Sequence, residues 1–206
     1  MKTALILLAV GIYCPVVTFA QKMGKLDPKN LSTHNCTVQL TGDDVHLISN
    51  APSTAIAWLR DIDFRNGTIE LDLKGKDVRA ESFVGIAFHA LNDSTYSAIY
   101  FRPFNFSSEE RRSHSVQFID KPGNDWDLLR ERHPGKYESA LSQQLDPNDW
   151  FHVRIEIAFP DVRVFVANAK SPSLEVKQIS PRTSGKIGLW IDSKDGWFRN
   201  LTYSKE

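Results

Sequence analysis

The sequence predicts an all-β chain, an antiparallel β-sandwich carrying one short helical flap. Three observations predict it. Short segments rich in bulky residues are separated by Gly, Pro, Asn and Asp clusters. Several of these segments alternate strictly between apolar and polar residues, and no long stretch carries the 3.6-residue period of an amphipathic helix. Short strands at close spacing without long helices are the signature of two packed antiparallel sheets.

Taken in order, residues 1–20, MKTALILLAVGIYCPVVTFA, combine one lysine, an apolar run and small residues before Gln21. This is the pattern of a secretory signal peptide cleaved after Ala20, and it directs the chain to a secreted or periplasmic location. Gly11 and Pro15 interrupt the run, which falls short of the roughly 20 apolar residues of a membrane-spanning helix, so no membrane span is expected. Cys14 follows Ile12 and Tyr13, where a lipid-modified cysteine would follow small residues. Residues 21–36 are polar and turn-rich and read as a mobile lead-in. Residues 37–206 read as one β-sandwich domain, with strands near 37–40, 45–49, 54–60, 67–74, 82–90, 95–104, 114–120, 149–159, 161–167, 174–179, 185–192 and 196–203. Loss of the leader leaves Cys36 as the single cysteine, which excludes an internal disulfide and suits a small buried residue.

Charge excludes several partners. The 25 Lys and Arg balance 25 Asp and Glu, and neither a basic stripe nor a basic excess invites nucleic acid. Clusters such as Glu109-Glu110-Arg111-Arg112 mix signs and read as solvated surface. No metal and no cofactor are expected. The histidines His114, His133 and His152 lack zinc spacing. The loop Asp192-Ser193-Lys194-Asp195-Gly196 spaces oxygens as calcium loops do, but Lys194 stands among them and the longer pattern is missing.

Side-chain parity sorts the faces. Successive residues of a strand point to opposite sides, so Phe151, Val153, Ile155 and Ile157 oppose His152, Arg154 and Glu156, and Ile69, Leu71 and Leu73 oppose Glu70, Asp72 and Lys74. The charged rows read as weak surface pairs. In SFVGIAFHA, Val84, Ile86 and Phe88 turn inward, leaving Gly85, Ala87 and His89 outside. The next strand, SAIYFRPFNF, sends Tyr100 and Arg102 to that same side, joined by Gln117, by Trp190 beside Gly188, and by Trp126 from the flap at 122–149. Glycine within a strand often marks close approach of a ligand or a backbone. A concave surface of rings, imidazole, amide and guanidinium suits a saccharide, whose C–H faces stack on rings and whose hydroxyls need planar partners. The alternative reading ties Arg102 to a loop carboxylate such as Glu138 and makes His89 a satisfied, partly buried histidine.

The motifs VGIAFHALNDSTYSAIYFRPFNF, RRSHSVQFI, PGKYESAL, DPNDWFHVRIEI and SGKIGLWIDSKDGWFRNLTY follow one another over residues 38–203. In this order they resemble the concanavalin A-like lectin and glucanase superfamily, with a likeness to exported jelly-roll domains related to the 3-keto-disaccharide hydrolases. The resemblance implies two curved sheets with ligand bound across the concave one. Retaining glucanases of the superfamily carry Glu-x-Asp-x-Glu on one strand, and Glu70-Leu71-Asp72-Leu73-Lys74 replaces the last acid, so the two-carboxylate mechanism lacks a member at that spacing. Three functions follow as expectations. The first is a secreted carbohydrate-binding domain with His89, Tyr100, Arg102, Gln117, Trp126 and Trp190 as ligand-binding residues, Arg102 favouring an acidic or keto-bearing sugar. The second is a glycoside-cleaving enzyme of the 3-keto-disaccharide hydrolase type, with His89 or His114 as general base and Arg102 stabilising negative charge. The third is a structural or adhesive module whose groove is filled by the flap.

Overall fold

The computed structural model describes residues 22–23 and 26–204; the leader expected at 1–20 lies outside them. Fifteen strands form in chain order: β1 Lys22–Met23, β2 Leu31–His34, β3 Cys36–Thr41, β4 Asp44–Ser49, β5 Ala55–Leu59, β6 Gly67–Lys74, β7 Ser82–Asn92, β8 Thr95–Phe101, β9 Val116–Lys121, β10 Glu138–Ser139, β11 Phe151–Ala158, β12 Asp161–Val166, β13 Leu174–Lys177, β14 Lys186–Ser193 and β15 Asp195–Tyr203. Among the described residues one α-helix, α1, spans Trp126–Arg132. The first sheet runs β13-β12-β11-β6-β15-β4-β3, with β1 also pairing β15; the second runs β10-β9-β8-β7-β14-β5-β2. Every pairing is antiparallel.

Period-two alternation accounts for the first sheet. Phe151, Val153 and Ile155 pair with Leu73, Leu71 and Ile69, and all six are buried. On the other side His152 stands across from Asp72, with 2.9 Å between His152 Nδ1 and Asp72 Oδ1, so the charged row is a set of cross-strand pairs. Arg199 and Asn200 add hydrogen bonds to the same carboxyl. Burial alone would raise Asp72, yet the bonds from His152, Asn200 and Arg199 outweigh it and hold the group below the usual aspartate value.

The second sheet meets the first through Phe101, whose ring lies edge-on to Phe151 at 5.2 Å, and through Val84 and Ile191, which close over Gly196. Tyr100 and Trp190 therefore face away from the sandwich interior. Residues 31–34, expected to belong to the mobile lead-in, form β2 instead. Leu31 pairs with Leu59 and is buried, so part of this segment is an edge strand of the second sheet. Cys36 is buried, and burial pushes its thiol up to about 11, a hydrogen bond with the His34 backbone acting the other way; such a thiol is inert. Among the described residues no helix is long and apolar enough to cross a membrane.

Candidate functional site

The outer face of the second sheet gathers five of the six expected ligand-binding residues, in a more closed arrangement than parity alone suggests. Tyr100 and Trp190 stack with ring centroids 4.8 Å apart and are 2% and 3% exposed. The two glycines serve these rings and their neighbours. A Cβ at Gly85 would lie 2.6 Å from Tyr100 Cα and 2.7 Å from its Cβ, and one at Gly188 would lie 2.5 Å from the Trp58 ring. The glycine floor expected to cradle a ligand thus accommodates the protein's own Tyr100 backbone and Trp58 ring, a close approach that only glycine permits.

Arg102 is 6% exposed, and its strand ends at Phe101, one residue short of it. Its expected placement in open space is corrected accordingly. Nη2 donates to Tyr100 Oη at 2.6 Å, Nη1 donates to the His114 carbonyl at 2.9 Å, and both lie within 3.4 Å of Gln117 Oε1. Its charge is met 4.0 Å away by Glu138, as the alternative reading anticipated. Gln117 is spent as well, since its Nε2 donates to the carbonyls of Phe118 and Tyr137. Both side chains are turned inward onto protein partners, because the flap folds over them.

The flap is fastened by Glu138. Arg130 donates to it from Nε at 2.8 Å and Nη2 at 2.6 Å, and His114 Nδ1 lies 2.9 Å away. Burial would raise this carboxyl, but the Arg130 hydrogen bonds and the Arg130 and His114 charges outweigh it and hold it below the usual glutamate value. His114 belongs to this fastening through its ring and through its carbonyl, which accepts from Arg102 and Asn105.

His89 stands apart from the group and is corrected too. The β7–β8 register shifts between Phe88 and Asn92, and His89 takes a left-handed φ of 47°, a conformation uncommon outside glycine. This bulge takes it out of strand alternation. It is fully buried, with Nδ1 2.9 Å from Gln178 Oε1 and Nε2 2.6 Å from the Arg65 carbonyl, so neither nitrogen is free for a ligand or for a general base.

What remains open is a pocket of about 150 Å³ lined by Thr54, Phe83, Tyr100, Ile119, Lys121, Asp125, Trp126, Trp190 and Asp192. Tyr100 and Trp190 form its floor. Trp126, at the start of α1 and 45% exposed, stands over it, with the Arg130 guanidinium 4.9 Å and the Arg102 guanidinium 5.7 Å from its ring. Asp125 occupies the N-cap of α1 without bonding the helix and pairs instead with Lys121 at 3.2 Å. Asp192 accepts from the Thr54 hydroxyl at 2.9 Å, and burial raises its carboxyl above the usual value, with Thr54 and Lys121 acting in the opposite sense. Parity arguments missed the polar rim. Asp192, two after Trp190, and Lys121, four after Gln117, share the outward parity of those residues, but Asp125 needed the flap's position.

The pocket does not meet the glucanase-like strand. Glu70 and Asp72 lie on β6, in the opposite sheet, and are engaged by His152 and Arg199.

No protein-family model matches the chain, and no curated protein matches it. Solved structures do. The carbohydrate-binding module CBM66 from Bacillus subtilis is 15% identical with a TM-score of 0.64, covering 85% of this chain and 96% of that one. The VIP36 exoplasmic/lumenal domain, in its Ca2+/Man3GlcNAc-bound form, is 10% identical with a TM-score of 0.60, covering 87% and 85%. The Bacillus licheniformis β-glucanase is 13% identical with a TM-score of 0.57, covering 93% and 100%. Together with the two antiparallel sheets and the one α-helix among the described residues, these likenesses give the chain a jelly-roll β-sandwich fold.

Proposed function

We propose that this chain is an exported carbohydrate-binding domain and that the pocket beneath Trp126 is where it takes a sugar. One observation carries the reading. A pocket on the outer face joins a stacked Tyr100–Trp190 floor and an exposed Trp126 to a rim of Thr54, Lys121, Asp125 and Asp192. Rings receive the C–H faces of a sugar while carboxylates, hydroxyl and ammonium meet its hydroxyls. The volume lies below the roughly 300–1,000 Å³ of drug-sized sites, which fits one ring of a glycan rather than a long segment. Similar folds that are a carbohydrate-binding module and a glycan-bound lumenal domain support it. The leader pattern of residues 1–20 supports export. A glycan array followed by calorimetry tests the reading; a chain that binds no glycan would leave it as a structural module.

A second reading, glycoside cleavage, is favoured by two carboxyls, Asp125 and Asp192, lining one pocket with Asp192 raised by burial. Paired carboxyls in unlike environments are the usual equipment for this chemistry. The general-base roles expected of His89 and His114 do not enter it, since His89 is sealed and His114 is engaged at Glu138. Released monosaccharide from ordinary or oxidised disaccharides supports cleavage, and binding without turnover sets it aside.

A further inference from the structure

The charges and rings of the pocket say more about its ligand than that it is a sugar. Four aromatic side chains, Phe83, Tyr100, Trp126 and Trp190, line it together with two carboxylates and one ammonium. Ring faces carry negative electrostatic potential and attract cations, and an aromatic enclosure beside carboxylates is how ammonium groups are recognised. The lining charges favour the same conclusion. Lys121 is drawn to Asp125 at 3.2 Å, and that pair is neutral. Asp192 has the Thr54 hydroxyl as its side-chain partner; Lys121 favours its charge only from beyond ion-pair distance, and among the described residues no ion pair within 4.0 Å reaches it. Burial penalises its charge, and a cation arriving from outside would relieve that penalty.

The obvious counter-argument is Arg102, whose charge would favour an acidic sugar. It is absent from the lining, is itself buried, and gives its donors to Tyr100, Gln117 and the His114 carbonyl with Glu138 4.0 Å away. A carboxylate sugar would instead meet Asp125 and Asp192 directly. Contact charges dominate in a half-enclosed site because the effective dielectric there is well below that of water.

Resting on the carbohydrate reading above, we propose that the pocket selects a protonated amine carried on a single sugar ring, a free amino sugar, with Asp192 as its counter-charge and the rings of Trp126 and Trp190 around it. An N-acetyl group removes the charge and adds bulk, and a uronic acid reverses the charge, so both are disfavoured.

The test uses the full chain at pH 7, with titrations of glucosamine, N-acetylglucosamine, glucose, glucuronate and choline followed by calorimetry and by tryptophan fluorescence, since Trp126 and Trp190 both line the pocket. Glucosamine is expected to bind on the order of tenfold more tightly than glucose or N-acetylglucosamine, the scale of one charge-assisted hydrogen bond, and glucuronate to give no signal. Asp192→Asn should bring glucosamine down to the level of glucose, and Asp125→Asn, at the exposed rim, should cost less. Thermal unfolding of both variants near the parent midpoint excludes a folding defect. Choline binding as well as glucosamine supports ammonium recognition and makes the ring dispensable. Glucose equal to glucosamine overturns the ammonium inference while sugar binding stands. Silence from all five overturns it too, and neutral oligosaccharides on the glycan array then decide separately whether the carbohydrate reading survives.

Discussion

Arg130 holds Glu138 through two nitrogens, at 2.8 and 2.6 Å, and by this contact α1 is fastened over the outer face of the second sheet. Glu138 is buried and also faces His114 and Arg102. Glu138→Gln leaves three basic side chains around a neutral amide. Losing one partner of a buried ion pair costs about 3–5 kcal/mol, reduced here because Arg130 and His114 are partly exposed to water. Denaturant unfolding of the parent and the variant measures the difference.

The same carboxyl sets an acid limit. Its folded value is held below the unfolded one, so the unfolded chain binds the proton more readily. The stability it contributes is therefore complete above the ordinary glutamate value of about 4.3 and is lost as pH falls through the lower folded value. Unfolding measured from pH 6 downward should show the parent losing stability below about pH 4 more steeply than Glu138→Gln. Parallel curves would mean that Asp72, held low by His152, Asn200 and Arg199, carries the acid sensitivity instead.

Gly85→Ala and Gly188→Ala differ in what they strike. The added carbon at Gly85 meets the Ile99 carbonyl and the Tyr100 backbone, whereas at Gly188 it meets the rings and methyls of Trp58 and Ile56. Side chains give way more easily than a paired strand, although Trp58 is tethered by its Nε1 to Asp93 at 2.6 Å. Overpacking costs typically about 1–3 kcal/mol, and Gly85→Ala is expected at or beyond the upper end, with Gly188→Ala below it. Hydrogen exchange should show loosened β7–β8 amides in the first variant only.

These glycines show how far the sequence could be read. Alternation placed most strands within a residue or two and put Tyr100, Trp190 and Gln117 on one outer face, because period two is a local property of the chain. What lies over that face was not local. The depth of Arg102 follows from a flap fastened through Glu138, thirty-six positions on, and His89 left the alternation at a bulge that no residue pattern marks. Leu31–His34 was missed because a short polar edge strand has one buried residue and no visible period. Of the pocket's acids, Asp192 shares the outward parity of Trp190 on β14, whereas Asp125 is carried in by the flap, and no spacing marks it.

Asp120 is fully buried and collects the backbone N–H of Ile179 at 3.1 Å and of Ser180 at 2.6 Å, the Ser97 hydroxyl at 3.2 Å, and the Arg182 guanidinium. Arg182 Nε in turn donates to the His89 carbonyl at 3.2 Å. One carboxylate thus pins the segment after β13 to the second sheet. Asp120→Asn keeps the shape but loses the charge facing Arg182 and turns an N–H donor toward other donors, so a loss of about 3–5 kcal/mol is expected. Exchange protection of the Ile179 and Ser180 amides should vanish first, and a variant that keeps it would show the segment to be held by Gln178 alone.

Trp126 separates folding from binding. Its ring is 45% exposed, whereas Trp190 on the pocket floor is 3% exposed and donates to Tyr96 Oη at 3.3 Å. Trp190→Ala removes a packed ring and should cost about 3–5 kcal/mol of stability, so its effect on a ligand cannot be isolated from its effect on the sheet. Trp126→Ala removes mostly solvent-facing surface and the stacking partner of Arg130, at 4.9 Å, and should cost about 1 kcal/mol or less. If the pocket binds sugar against this ring, the same change should weaken glycan binding on the order of tenfold, since exposed tryptophans at a site concentrate binding energy. Calorimetry on the variant, paired with its unfolding curve, reads both quantities. Unchanged affinity in a folded Trp126→Ala chain would move the ligand off this pocket.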